Sequence, residues 1–247
     1  MKNELICEFL EWDSQFFGKR IARVKPCTLT QEVIAEINDW THAHAIDCLY
    51  FLGDPKDRNT AKLAAENDFR LVDVKITLET EKTDRCQNGT GVPGVCLRNA
   101  VDADIDSLKA LARRSHRDSR FYYDGNFTAH ACDELYAVWI EKSCRGWADR
   151  VIVASEERTV RGYISCHVSR AVSGKIGLVG VCEESRGRGI GRQLVIEALA
   201  FFAEQDAKKV SVVTQGRNVR AQRLYQQCGF SPSAVELWFH RWTSGSL

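Results

Sequence analysis

The stretch SRGRGIGRQLVIEALAFF, residues 185–202, places glycine at 187, 189 and 191, interleaved with arginine, directly before a run that is almost wholly apolar. It reads as a buried helix whose first turn is made of glycine and arginine. Glycine inside a helix costs ~1 kcal/mol relative to alanine, so three of them call for a reason beyond flexibility. A helix begins with about four backbone N–H groups that have no partner, and with a partial positive charge. Glycines there let the backbone approach a ligand closely and let several N–H groups aim at one point. The natural occupant is a phosphate or diphosphate. Arg186 and Arg188 add cationic donors at the rim. The spacing is G-x-G-x-G, so it fails the dinucleotide fingerprint G-x-G-x-x-G, and the GK[ST] ending of a P-loop is missing.

The elements around this turn alternate between strand and helix. VCLRNAVDADIDSLKALARRS reads as a short strand, a turn, and a helix begun by Asp102 or Asp104 with Ile105, Leu108, Leu111 and Ala112 on one face. A second helix is expected over Cys132 to Cys144. Strands follow in RVIVASEE, VRGYISCHVS and GKIGLVGVCEE, the first two joined by a charged turn at Glu156 to Thr159. After the long helix, to about Glu204, come the strand KKVSVVTQ, a helix from Asn218 to Cys228 capped by Gly229, and a last strand in SAVELWFHRW. The fold class is mixed α/β. The Gly- and polar-rich passage beginning at Asp84 is a linker at 85–94, dividing the chain into a smaller part, 1–84, and a larger one, 95–247. Asn59 to Phe69 followed by RLVDVKITLE echoes RAQRLYQQCGF followed by the last strand, with Phe69 set against Phe230 and Ala64 against Tyr225.

Composition excludes several classes. The net charge is +1 with 27% charged residues, so there is no electrostatic footprint for nucleic acid. MKNELICEFLEWDSQ lacks a secretory pattern, and no apolar run approaches roughly 18 residues, so a cytoplasmic location without membrane association is expected. Ten cysteines show no C-x-x-C pair or zinc spacing, which points to inert buried thiols and no metal.

Arg186-x-x-Gly189-x-Gly191 after LVGV, and then Asn218 with RAQRLYQQCGF, resembles the coenzyme A signature of the GNAT acyltransferase superfamily, over Val95 to Trp242. The resemblance implies a GNAT acyl-CoA fold on a mixed sheet and acetyl-CoA as acyl donor. It implies that Arg186, Gly187, Arg188, Gly189, Ile190 and Gly191 hold the coenzyme's pyrophosphate, with Asn218 also on the coenzyme. The preceding strand, Lys175 to Cys182, is expected to splay from its neighbour. Gly177 and Gly180 suit a bulge or a close approach of ligand there. Val179, Gly180 and Val181 are then the backbone contacts to the pantetheine arm and acetyl carbonyl. Tyr225 stands where the family often places the acid that protonates the leaving thiolate; as a residue alone it could equally be a core aromatic. His167, Glu183 and Glu184 fall in the region of the base, which stays unassigned.

LEWDSQFFGKRIARV, SRFYYDGNF with LYAVWIEKSCRG, and VVTQGRN to RLY are similar to the dTDP-fucosamine acetyltransferases, which acetylate the 4-amino group of a dTDP-linked 4-amino-4,6-dideoxyhexose. The resemblance implies a truncated GNAT-like N-terminal subdomain, a nucleotide-sugar substrate, a homodimer, and a place in surface-polysaccharide synthesis. Arg120, Tyr122, Tyr123 and His167 are the candidate substrate contacts, although SRFYYDGNF also fits an aromatic loop sealing the core. Acetylation of a peptide amine and a non-catalytic coenzyme A binder are the alternatives.

Overall fold

The computed structural model describes residues 6–81, 91–169 and 173–243; part of the expected linker, residues 85–90, and Cys86 lie outside them. The elements in chain order are β1 (Cys7–Phe9), α1 (Glu11–Phe17), β2 (Ile21–Val24), α2 (Gln31–Ala43), β3 (Cys48–Gly53), α3 (Thr60–Glu66) and β4 (Arg70–Thr80). Then come β5 (Val95–Asn99), α4 (Ile105–Ser115), α5 (Arg120–Asp124), α6 (Ala129–Lys142), β6 (Arg150–Glu156), β7 (Thr159–Ser169) and β8 (Ser173–Val181). The last are α7 (Ile190–Glu204), β9 (Lys209–Gln215), α8 (Val219–Gln227) and β10 (Ser231–Trp242). All ten strands form one mixed sheet in the order β1-β2-β3-β10-β4-β9-β8-β7-β6-β5.

Period-two burial on β6 shows why both faces are covered. Ile152 and Ala154 pack with Leu194, Val195, Ala198 and Phe202 of α7, whereas Val151 and Val153 pack with Leu108 of α4 and Leu135 and Ile140 of α6. Each of the large side chains gains about 1.5–3 kcal/mol from burial, which is what holds the helices on the sheet. The charged turn after β6 is tight because Glu157 and Arg158 both take positive φ, 48° and 67°.

The two echoing segments close in the same way. Phe69 N donates to Ala64 O at 2.9 Å after α3, and Phe230 N donates to Tyr225 O at 3.1 Å after α8. Both exits pass through a positive φ, at Asp68 and Gly229. The strands that follow then change places. β4 pairs with β9, while β10 lies between β3 and β4. The sheet is therefore continuous across the expected boundary at 84/95.

Candidate active site

Glycine and a hydroxyl open the sheet. β8 runs parallel to β9 only from Ser173 to Ile176, opposite Lys209 to Val212, and the pairing stops there. On its other side β8 carries a bulge: Gly177 and Leu178 together oppose Ser165 of β7, whose Oγ accepts from Leu178 N at 2.8 Å. A Cβ on Gly177 would lie 2.6 Å from both Ser165 Oγ and His167 Nε2, so only glycine fits. Past the bulge, Cys182 N donates to Arg161 O at 2.8 Å. Backbone direction alternates along a strand, so Gly180 is bonded to Tyr163 of β7 while the N–H groups of Val179 and Val181 point into the gap beside β9. Arg186 Nε confirms the sense, reaching Val181 O on that edge at 3.4 Å. At Gly180 the missing Cβ makes room for the Tyr163 ring, 2.6 Å from where that Cβ would sit.

The glycine–arginine turn follows directly. Gly187 and Gly189 take φ of 78° and 92°, the left-handed region, and Gly189 is the N-cap of α7 with no side chain capping it. The first-turn amides from Gly189 onward have no side-chain partner at the cap and lie close to Val181. Ile190 is buried and anchors the helix start; a Cβ on Gly191 would stand 3.3 Å from Leu224 of α8. Arg186 stays exposed at the rim, with a 3.7 Å pair to Glu183 besides its contact with Val181 O, whereas Arg188 is held by Glu156 at 2.6 Å. Asn218 Oδ1 caps α8 by accepting from Ala221 N at 3.1 Å.

The gap opens into a cleft of about 520 Å³ whose lining includes Val179, Asn218 and Tyr225 as well as Trp139, Trp147 and His167. Tyr225 is buried, and burial pushes its phenol well above the usual range, so it carries its proton at neutral pH. Its hydroxyl has no hydrogen-bond partner among the described residues.

Asp73, on β4, faces this cleft with its side chain only 6% exposed. Burial pushes its carboxyl up to about 6, with Arg217, 3.5 Å away, and the N–H of Val74 pulling the other way. His116 also lines the cleft, stacked on Tyr136 with centroids 4.4 Å apart and with Nε2 2.9 Å from the Tyr163 hydroxyl. Burial pushes its imidazole down to about 4, so it is neutral. Sequence reading missed both. A carboxylate inside RLVDVKITLE was the available signal for Asp73; His116, at a helix end, offered none.

The expected substrate residues divide. Arg120 and His167 line the cleft. Arg120 lies over the rings of Phe121 and Trp238, each 4.3 Å from its guanidinium carbon, and its Nε donates to His240 Nε2 at 3.2 Å. That acceptor must be unprotonated, so the buried His240 is neutral and its Nδ1–H donates to Asp124; burial pushes it down to about 4. Tyr122 and Tyr123 are outside the cleft. Residues 120–124 form α5 instead of a loop, whose inward face is Arg120, Phe121 and Asp124. Tyr122 donates its hydroxyl to Asp133 under the Arg117 guanidinium, and Tyr123, 48% exposed, lies under Arg217. Of the candidate bases, Glu183 is 85% exposed, and neither it nor Glu184 lines the cleft.

A parallel pair that parts beside a bulge, with an uncapped glycine-rich helix start next to it, defines an acyl-coenzyme A-binding fold. Residues 111–230 match the Acetyltransferase (GNAT) family, so this part of the chain is a GNAT acetyltransferase domain, and the protein is an acyl-CoA N-acetyltransferase. Over 95% of its length it is 27% identical to the dTDP-fucosamine acetyltransferase of Escherichia coli O6:H1, covering 97% of that protein. It is 30% identical to the spore coat polysaccharide biosynthesis protein SpsD of Bacillus subtilis, over 56% of this chain and 48% of that one. The GCN5-related N-acetyltransferase from Sphaerobacter thermophilus superposes with a TM-score of 0.62 at 16% identity, over 98% of this chain and 78% of that one, a likeness of fold.

Proposed function

We propose that the enzyme transfers an acetyl group directly from acetyl-CoA to the 4-amino group of a dTDP-linked 4-amino-4,6-dideoxyhexose, with both substrates bound together. The observation that carries this is the single cleft joining the opened β8 edge and Tyr225 to a buried carboxylate, Asp73, and to Arg120. The similarity to a dTDP-fucosamine acetyltransferase along almost the whole chain supports the choice of amine.

Acetyl-CoA, when bound, supplies the acetyl group as a thioester. The amides of Gly189, Ile190 and Gly191, with Arg186, hold its diphosphate, and the Val179 N–H holds the acetyl carbonyl. Asp73, as carboxylate, attracts the incoming ammonium and takes one proton from it, which frees the nitrogen lone pair to attack the acetyl carbonyl; the second proton, which the nitrogen loses as the adduct collapses and the C–S bond breaks, replaces the one that Tyr225 gives up. The Tyr225 hydroxyl donates a proton to the departing thiolate. Fixing both reactants in one cleft supplies the largest share of the rate, roughly 7–11 kcal/mol at best.

Release of free thiol from acetyl-CoA, measured against dTDP-amino sugars, unlinked amino sugars and peptides, tests this directly. Turnover fastest with the dTDP-linked amine is expected; a peptide preferred by an order of magnitude would overturn it. Tyr225→Phe should lower kcat about 10- to 100-fold, at or below the usual range for a proton donor because a thiolate leaves readily. Its affinity for acetyl-CoA should be unchanged by calorimetry, and a kcat within twofold of wild type removes Tyr225 from the reaction.

A further inference from the structure

Trp139 and Trp147, which line the cleft, also line a second cavity of about 560 Å³ together with Trp12, Lys142 and Arg145. These come from α1, from the end of α6, and from the turn Ser143–Trp147, where Gly146 at φ 100° redirects the chain. Trp147 is 60% exposed, and its indole meets the His167 ring edge-on at 5.3 Å, so one side chain is shared by both cavities. Trp12 and Trp139 lie 6.3 Å apart, centroid to centroid. Lys142 Nζ stands 4.1 Å from the Trp12 ring centre and has no carboxylate partner among the described residues. Arg145 shares Glu141 with Lys109 on the solvent side.

A lone exposed indole is ordinary protein surface. Three indoles and two cations around one cavity, two of the indoles shared with the lining of a reaction cleft, specify a ligand that is planar and aromatic at one point and anionic at another. Bases stack on aromatic faces whatever their sequence, and lysine and arginine meet phosphate oxygens with charge-assisted hydrogen bonds. We infer that this cavity is the subsite for the nucleoside diphosphate end of the acceptor. The base stacks on the indoles, the diphosphate meets Lys142 and Arg145, and the sugar passes Trp147 and His167 to bring its amine toward Asp73. The inference rests on the nucleotide-sugar reading above and supplies the aromatic stacking surface that Tyr122 and Tyr123 do not provide.

Titration of the full chain with dTDP alone, followed by calorimetry and tryptophan fluorescence, tests it in wild type, Trp147→Ala, Trp147→Phe and Lys142→Gln. Trp147→Ala and Lys142→Gln should each weaken dTDP by about tenfold or more, and Trp147→Phe should keep most of the affinity because a stacking face remains. Lys142→Gln should also reduce the salt dependence, and acetyl-CoA affinity should hold in all three. Equal dTDP affinity in wild type and Trp147→Ala overturns the subsite. If the dTDP-linked amine is still turned over with an unchanged KM in that variant, only the subsite falls. If wild type neither binds dTDP nor turns over a dTDP-linked amine but acetylates another amine, the nucleotide-sugar reading itself falls, and the subsite with it.

Discussion

Produced separately, residues 1–84 and 95–247 will not fold, and neither will bind acetyl-CoA. β10 forms its ladders with β3 and β4, both in the smaller part, while β4 depends on β9 in the larger. Cutting between the parts strips the twelve-residue β10 of both neighbours and leaves β9 as an edge. Unpaired strand edges of this length aggregate. The loss also reaches the site, because Asp73 and Trp238, on β4 and β10, wall the cleft whose other side is β8. Circular dichroism and a thermal shift with acetyl-CoA read the outcome. Cooperative melting and native coenzyme affinity in 95–247 alone would show that the exchanged strands are dispensable, whereas recovery on co-expression of both parts is the expected result.

Asp73→Asn should make the protein more stable and nearly inactive. Burial holds the carboxyl at about 6, above the usual ~3.9 of an unfolded chain, so the ionised form is what costs the fold. That cost is absent below about pH 4, where the group is protonated in both states. It grows between pH 4 and 6, as only the unfolded chain has released its proton, and is constant above. Removing the charge should therefore raise stability at pH 7–8 by about 1–3 kcal/mol and leave it unchanged at pH 4. Activity moves the other way. Loss of a positioned proton acceptor should lower kcat/KM about 10²- to 10⁴-fold and abolish the acid limb expected of wild type near pH 6. Opposite signs in the two measurements separate a proton acceptor from a packing residue. Retained activity, or a lower melting point at pH 7, would remove Asp73 from the mechanism.

What local pattern controls was legible in the chain, and what distant strands assemble was not. The start of α7 is set by the backbone freedom of Gly187 and Gly189, a property of those residues alone, so this turn could be located before any tertiary contact was known. The same holds for the helix ending at Gly229 and the bulge at Gly177. SRFYYDGNF was harder, because one turn of helix and a loop differ by little in propensity. Only the packing of Phe121 and Asp124 against the core turned Arg120 inward and left Tyr123 in solvent.

The composition and order of elements determined a mixed sheet, a glycine-rich helix start without a side-chain cap and the position of Tyr225, since each depends on residues within a few places of one another. The tertiary structure alone decided that β4 and β10 change places. It thereby buried Asp73 in the cleft, joined His240 to Arg120 across 120 residues, and gathered three tryptophans around one cavity. Those pairings are set by hydrogen-bond ladders and shared burial between segments far apart in the chain, for which no short stretch of sequence carries a signal.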